Sequence, residues 1–300
     1  MTMPPRKTAS DFDPDVLRLF DEYVHGSIDR RGFLAGAAKF AVGAAGAAGL
    51  LAALSPQFAM AQQVKPDDAR LHAVRRQFAS PQGYGTAQGY LVRPADAKGP
   101  LPTVLVVHEN RGLNPHIEDV ARRVALEGYI AFAPDALFPL GGYPGDEDKA
   151  RAEFGKLEQA KTRQDFLAAA QLLREIPGGN GRLGVVGFCY GGSMANFLAT
   201  QLPDLAAAVP FYGSGPALED VPKIRAELLV VHASNDERIN TAWPAYEAAL
   251  LQAGVRYAHY QPDNTQHGFH NDTTPRYDEA AAREAWTRTL ALFDRTLRNT

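Results

Sequence analysis

The chain has 300 residues, of which 45% are hydrophobic and 22% are charged, with 27 glycines and 21 prolines. This composition excludes a disordered chain, a collagen and a coiled coil. Because 31 basic and 34 acidic residues leave a net charge of −3, nucleic acid is not an expected partner. The one cysteine, Cys189, can form neither an internal disulfide nor a zinc site of several cysteines. It is therefore either a small buried apolar residue or a reactive group.

The first 61 residues differ from the rest and predict an export signal. The letters RRGFL at 30–34 precede an apolar run at 40–54, and AMA at 59–61 stands before Gln62. A charged region, a short apolar stretch and an A-x-A site are the parts of a secretory signal, and the arginine pair resembles a twin-arginine signal. We expect cleavage after Ala61, which leaves a periplasmic or secreted chain of 239 residues.

The export signal implies the twin-arginine export machinery as a partner. The apolar run is shorter than the roughly 20 residues of a membrane-spanning helix, so no stable membrane insertion is expected after cleavage. An uncleaved amphipathic or membrane-anchor helix is the alternative. Within residues 1–28, the apolar residues at 16–20 predict a short helix, to which the sequence assigns no role.

From residue 70 onward, strand-like runs alternate with segments of helical period. Strands are predicted at 74–78, 89–93, 101–109, 129–134, 183–188, 205–212, 227–233 and 256–261. Helices are predicted at 115–127, 146–176, 192–201, 241–253 and 278–297. This alternation predicts one α/β domain over residues 62–300, with a mostly parallel sheet covered by helices on both faces.

The letters GFCYG at 187–191 stand between a predicted strand and a predicted helix. In that context, glycines two residues either side of a nucleophile predict a sharp elbow that presents Cys189 at the top of the sheet. The positive end of the following helix favours the thiolate. A buried cysteine in a glycine-rich turn is the alternative. A serine nucleophile at Ser193 or Ser214 is a weaker hypothesis, because neither has a strand–turn–helix context.

A thiolate nucleophile needs a histidine and a group that orients it. In an open α/β sheet these side chains are expected in loops after the carboxyl ends of strands. Asp236 follows the predicted strand 227–233, and His267 follows the strand 256–261. Cys189, Asp236 and His267 then have the chain order of α/β-hydrolases.

Other residues compete for these roles. Asp263 is the nearest rival of Asp236, but it lies in the same loop as His267. His270 is the main rival of His267. Two further histidines lie within predicted strands, where core or surface positions are more typical: His232 and His259. A metal pair of His267 and His270 lacks a completing cluster, so we predict no metal.

These motifs resemble the dienelactone hydrolase family over residues 70–298: GFCYGG at 187–192, HASND at 232–236 and HGF at 267–269. The resemblance implies the α/β-hydrolase fold, a Cys-Asp-His triad and no cofactor. It also implies a glutamate that contacts the resting cysteine and helps to control its ionisation, a position that Glu109 matches. The implied oxyanion hole consists of the backbone N–H groups of Tyr190, which elbow geometry also indicates, and Asn110.

The sequence departs from the family pattern in its arginines. Members that open dienelactones hold the substrate carboxylate with an arginine four residues after the catalytic histidine, where this chain has Asn271. They place another in the loop after the strand that ends here at Asp135, yet residues 136–143 contain no Arg or Lys. Arg111 or Arg276 could compensate, so the substrate-binding residues stay unassigned.

The motifs together predict a cysteine-dependent hydrolase of small-molecule esters or lactones that forms an acyl-enzyme on Cys189. The alternative is a non-catalytic periplasmic binding or thiol-sensing protein on the same fold, because one fold hosts many functions.

Overall fold

The computed structural model describes residues 7–41 and 46–298. Within these ranges, eight strands form one sheet in the order β1-β2-β4-β3-β5-β6-β7-β8. The strands are β1 Leu71–Ser80, β2 Gly85–Pro94, β3 Leu101–Val107, β4 Ile130–Pro134, β5 Gly179–Phe188, β6 Ala207–Phe211, β7 Glu227–Val231 and β8 Tyr257–Tyr260. Strand β2 pairs antiparallel with β1 and β4. All the other neighbouring strands pair in parallel.

Helices cover both faces of this sheet. After the first strands come α5 Pro115–Leu126, α6 Glu147–Phe154, α7 Gln159–Arg174, α8 Tyr190–Gln201, α9 Glu237–Asn240, α10 Trp243–Ala253 and α11 Glu279–Phe293. Helices α5 and α11 share an apolar core with one face. Helices α7, α8 and α10 share a second core with the other face. The predicted α/β fold, with a mostly parallel sheet between two helical layers, is confirmed.

The prediction of one helix over residues 146–176 is wrong, because α6 ends at Phe154 and α7 begins only at Gln159. A turn separates them, in which the N–H of Leu157 donates to the carbonyl of Phe154 at 3.2 Å. Both side chains of that turn belong to the core. A break whose flanking apolar residues both point inward leaves the hydrophobic pattern unchanged, so periodicity does not detect it.

The first 61 residues form four further helices: α1 Pro14–His25, α2 Arg30–Ala37, α3 Gly46–Leu54 and α4 Phe58–Ala61. Helix α1 contains the predicted short helix and ends where Gly26 adopts the left-handed conformation at φ 84°. These residues have a small apolar core of their own: Phe12, Val16, Leu17, Phe20, Tyr23, Phe33, Ala37, Leu51 and Leu54.

We call residues 7–61 the N-terminal segment. Residues 42–45 of its predicted apolar run lie outside the described residues. In the ranges that the structure describes, no helix is both long enough and apolar enough to cross a membrane.

Candidate active site

Cys189 lies between β5 and α8 in a backbone conformation with φ 54° and ψ −111°. Residues other than glycine rarely adopt positive φ, and such strain is typical of a nucleophile elbow. A Cβ at Gly187 would lie 2.0 Å from the carbonyl oxygen of Gly191, and one at Gly191 would lie 2.2 Å from that of Val107. Only glycine fits at both positions, so the spacing of the motif follows from close backbone packing.

Asp236 and His267 meet beside this elbow. His267 Nδ1 is 2.5 Å from Asp236 Oδ2, and both side chains are buried. They come from the loops after β7 and β8, which an isolated bridge between Asn235 and Gln266 joins. Burial raises the pKa of Asp236, but the hydrogen bond and charge of His267 outweigh this effect and lower it. Asp236 therefore stays ionised and holds the proton on Nδ1 of His267.

The thiol and imidazole of the site stabilise each other's charged forms. Burial raises the pKa of Cys189, but the charge on His267 and the hydrogen bonds from His25 and His267 lower it overall. Burial lowers the pKa of His267, but the Cys189 thiolate and Asp236 raise it overall. The site thus favours a thiolate–imidazolium pair, the reactive form of a cysteine nucleophile.

A second histidine, His25 at the end of α1, reaches the same thiol. Its Nε2 lies 3.6 Å from Cys189 Sγ and 3.2 Å from His267 Nε2. Its Nδ1 lies 3.2 Å from Oδ2 of Asp21, one helical turn earlier. His25 was not predicted as a site residue, because residues 1–61 have the pattern of a removable export signal. The sequence feature that could have identified it is a histidine on an amphipathic helix directly before Gly26.

Glu109 and Asn271 meet at the wall of the same cavity. Glu109 follows β3, and its Oε2 accepts a hydrogen bond of 3.1 Å from Nδ2 of Asn271. Asn271 therefore positions this carboxylate, at the place where the family resemblance led us to expect an arginine.

The two predicted oxyanion donors belong to residues near Cys189. Tyr190 is the first residue of α8, and the N–H groups of a first helical turn have no partner within their own helix. Asn110 follows Glu109 and lines the cavity that contains Cys189.

The rival histidines do not line the cavity that contains Cys189. His270 stacks on the ring of Phe188 with centroids 5.1 Å apart, and burial lowers its pKa to about 3. His232 Nδ1 and His259 Nε2 lie 3.2 Å apart beside Trp243. These three histidines belong to the packing of the sheet rather than to the site.

The remaining rivals are also placed elsewhere. Asp263 is exposed at the surface. Ser193 Oγ accepts a hydrogen bond of 2.9 Å from the N–H of Ser214, which ties α8 to the loop after β6.

Cys189, His25 and His267 bring three possible metal-ligand atoms within 4.8 Å of one another. A cation already faces this cluster, since Nη2 of Arg238 lies 3.0 Å from Nε2 of His25 and 3.5 Å from Nδ1 of His267. Because like charges repel strongly at such distances, the arrangement does not favour a metal ion, and we assign none.

The cavity at Cys189 has a volume of about 50 Å³. A water needs about 10–15 Å³ of such space, so the cavity has room for a few waters. Arg111 and Arg276, the two arginines considered from the sequence, both line it. A second, open cleft of about 1050 Å³ runs between α1 and the loops of Asp236 and His267, and Cys189 is not part of its lining.

Comparisons with known proteins show the family of the chain. The model of the "Dienelactone hydrolase family" matches residues 87–297. A "Putative carboxymethylenebutenolidase" of Salmonella typhi is 33% identical over 222 residues, which cover 68% of this chain and 81% of that protein. The crystal structure of a "Putative Dienelactone Hydrolase" from Klebsiella pneumoniae has a TM-score of 0.66 at 29% identity, and the match covers 74% of this chain and 98% of that one.

The N-terminal segment has a match of its own. A separate family model, described as YqhI-like, matches residues 3–41. In a separate comparison of the whole chain, a "Putative hydrolase fragment" of Escherichia coli K12 is 57% identical over 98 residues, which cover 33% of this chain and 84% of that protein. The matched range 87–297 contains Cys189, Asp236 and His267. This chain belongs to the dienelactone hydrolase family and is a hydrolase with the α/β-hydrolase fold.

Proposed function

We propose that the chain hydrolyses small-molecule esters or lactones through an acyl-enzyme on Cys189. The observation that carries this proposal is the strained thiol beside the buried pair of His267 and Asp236. The thiolate attacks the carbonyl carbon and forms a C–S bond, while the carbonyl π electrons move to oxygen. The backbone N–H groups of Tyr190 and Asn110 donate to that oxyanion. The C–O bond then breaks, and the leaving alkoxide takes a proton from the His267 imidazolium.

Water completes the cycle. Neutral His267 accepts a proton from water as the water oxygen attacks the thioester carbon. The second tetrahedral intermediate breaks its C–S bond, which releases the carboxylic acid and restores the thiolate beside the imidazolium. Asp236 holds the required tautomer throughout. Glu109, positioned by Asn271, takes the place of the family glutamate that helps to control ionisation of the thiol.

We infer that the preferred substrate carries a carboxylate. Arg276 and Arg111 line the cavity with Cys189, and guanidinium groups bind carboxylates through charge-assisted hydrogen bonds. Arg111 and Arg276 would thus take the role of the two carboxylate-binding arginines that the family has at position 271 and within residues 136–143. A panel of small esters matched in size, with and without a free carboxylate, tests it: higher kcat/KM for the anionic members is expected, and a preference for the neutral ones would contradict it.

Alkylation and acyl trapping test the nucleophile. In the chain processed after Ala61, alkylation of Cys189 by one equivalent of iodoacetamide should remove esterase activity in parallel with modification, and mass spectrometry should find the acyl group on the peptide of Cys189. Cys189→Ala should lose both signals, whereas Ser193→Ala should keep them. Esterase activity that survives complete alkylation would refute the mechanism. Reversible oxidation of Cys189 with no turnover would instead favour a thiol sensor.

We also propose export by the twin-arginine route, with cleavage after Ala61 and a periplasmic or secreted product. The sequence pattern supports this route, and the side chains of Arg30 and Arg31 are both exposed, as recognition requires. In a bacterial host, Arg30→Lys with Arg31→Lys should retain the protein in the cytoplasm, while Arg18→Lys, an exposed arginine of the same segment, should not. An unprocessed cytoplasmic wild type would contradict the proposal.

A further inference from the structure

The N-terminal segment lies over the mouth of the active site. Phe20, Tyr23 and Val24 of α1, with Ser55 and Pro56 after α3, form one wall of the cavity at Cys189. Cys189 is only 8% exposed and His267 only 4%. The thiol that the mechanism requires is thus enclosed by residues that the family match does not include.

The contacts of this segment fall on the groups that the proposed reaction uses. Asp21 places Oδ1 3.3 Å from Nη1 of Arg276, so a carboxylate already occupies one of the two substrate arginines. The carbonyl of Val24 accepts hydrogen bonds from Nη1 of Arg111 at 3.3 Å and from Nδ2 of Asn110 at 3.1 Å. The imidazole of His25 lies against the thiol at 3.6 Å.

The space that remains excludes an ordinary substrate. Ligand pockets measure about 300–1,000 Å³, whereas the cavity at Cys189 has about 50 Å³. The larger open cleft shares His267 and Arg276 with this cavity, but Cys189 does not line it. A substrate of ordinary size therefore needs the segment to move before it can reach the thiol.

The way the segment is attached allows such a movement. It has an apolar core of its own, and polar contacts hold much of its edge. On the catalytic side, Asp148 accepts a hydrogen bond from the hydroxyl of Tyr23 and lies 3.4 Å from Nη1 of Arg30. Ion pairs that water can reach are weak and are screened by salt, so this edge can open without unfolding the sheet.

We propose that the N-terminal segment, in its described residues 7–41 and 46–61, forms a cover that mimics substrate and keeps the full chain latent until the cover is displaced or removed. This inference rests on the proposed function, because the covered groups are those of the ester reaction. The carboxylate of Asp21 and the carbonyl of Val24 stand for the polar groups of the substrate, and His25 caps the nucleophile. Cleavage after Ala61 would then open the enzyme only after export.

The rate at which iodoacetamide alkylates Cys189 in the folded full chain tests the cover without depending on turnover. Phe33 is fully buried in the core of the segment, against Phe20 and Tyr23, and it does not itself line the cavity at Cys189. Phe33→Asp should therefore open the cover and speed alkylation at least about tenfold. Met60→Asp is the control, because Met60 is 56% exposed in the same segment; its rate should equal that of the wild type.

A second variant opens the cover from the catalytic side and leaves the segment's own core intact. Asp148→Ala removes the partner of Tyr23 and Arg30 and should speed alkylation severalfold. In both variants, residues 71–298 should unfold at the same melting temperature as in the wild type. Wild-type alkylation rates in both variants would overturn the cover.

The two proposals fail separately. Fast alkylation with no turnover on any ester would retain the cover and refute the hydrolase mechanism. Turnover through Cys189 with unchanged alkylation rates in both variants would support the hydrolase mechanism and refute the cover.

Discussion

Residues 71–298 and the N-terminal segment are held in place by different interactions. The first region buries large apolar clusters on both faces of its sheet, and this burial is the dominant favourable term in folding. The N-terminal segment has only a small cluster and adds polar contacts such as those of Asp21 and Tyr23. The comparison indicates that the catalytic geometry is a property of the sheet, whereas access to it depends on a region that can separate.

The largest expected effect is a loss of activity caused by changes within residues 71–298, which we call the sheet region. His267→Gln should lower kcat by about 10³-fold or more, because loss of one triad member removes most of the covalent catalysis. Asp236→Asn should cost up to about 10⁴-fold by favouring the wrong tautomer of His267. Steady-state kinetics in the Phe33→Asp background measure both effects with the cover open. A loss of less than tenfold in His267→Gln would place the base elsewhere, and a loss of less than tenfold in Asp236→Asn would place the orienting group elsewhere.

The next effect separates backbone packing from chemistry. Gly191→Ala should destabilise the sheet region by about 3 kcal/mol or more, since the new Cβ would lie 2.2 Å from a backbone oxygen. Gly99→Ala is the matched control, because a Cβ there meets nothing within 4 Å, and its effect should stay within about 0.5 kcal/mol. Urea unfolding measures both, and equal midpoints would show that the elbow tolerates a side chain.

A more local effect, confined to the N-terminal segment, tests whether the regions separate. Phe33→Ala removes a fully buried ring, a change that typically costs about 3–5 kcal/mol where it is buried. Hydrogen exchange should show lost protection in α1 and α2 and unchanged protection in β5 and β6. If β5 lost as much protection as α1, the two regions would unfold as one unit, which would contradict the separation of the N-terminal segment from residues 71–298.

The smallest effect is a pH dependence of the cover. Burial lowers the pKa of His25, but the hydrogen bonds to Asp21 and Cys189 raise it overall. His267 and Arg238 also face its ring. A raised pKa in the docked state stabilises docking fully below the free value of about 6.5, and this contribution is lost as pH rises through the docked value.

Protection of α1 amides, corrected for intrinsic exchange, should therefore fall as the pH rises above about 6.5. His25→Gln keeps a polar side chain but cannot titrate, so its protection should not change with pH. A wild type whose protection rises over the same interval would show that another group controls docking.

Much of the site was predictable because catalysis and close packing restrict residue types. The glycines at 187 and 191 identify the elbow, because a side chain at either position would collide with the backbone. Gly187 lies against Gly191, and Gly191 lies against Val107. The carboxyl ends of parallel strands meet at one edge of a sheet, so the loops of Asp236 and His267 could be placed beside Cys189 before their distances were known.

The tertiary structure decided what local patterns do not encode. The contact between His25 and Cys189 joins residues 164 positions apart, and no sequence pattern near His25 predicts that it contacts Cys189. The same holds for Asn271, whose bond to Glu109 replaces an expected arginine. The sequence by itself determined the family, the fold and the elbow motif around Cys189, because the residues that identify them lie close together in the chain. Only the packed chain decided that the N-terminal segment lies on Cys189, because such a contact depends on which surfaces remain open once the sheet has formed.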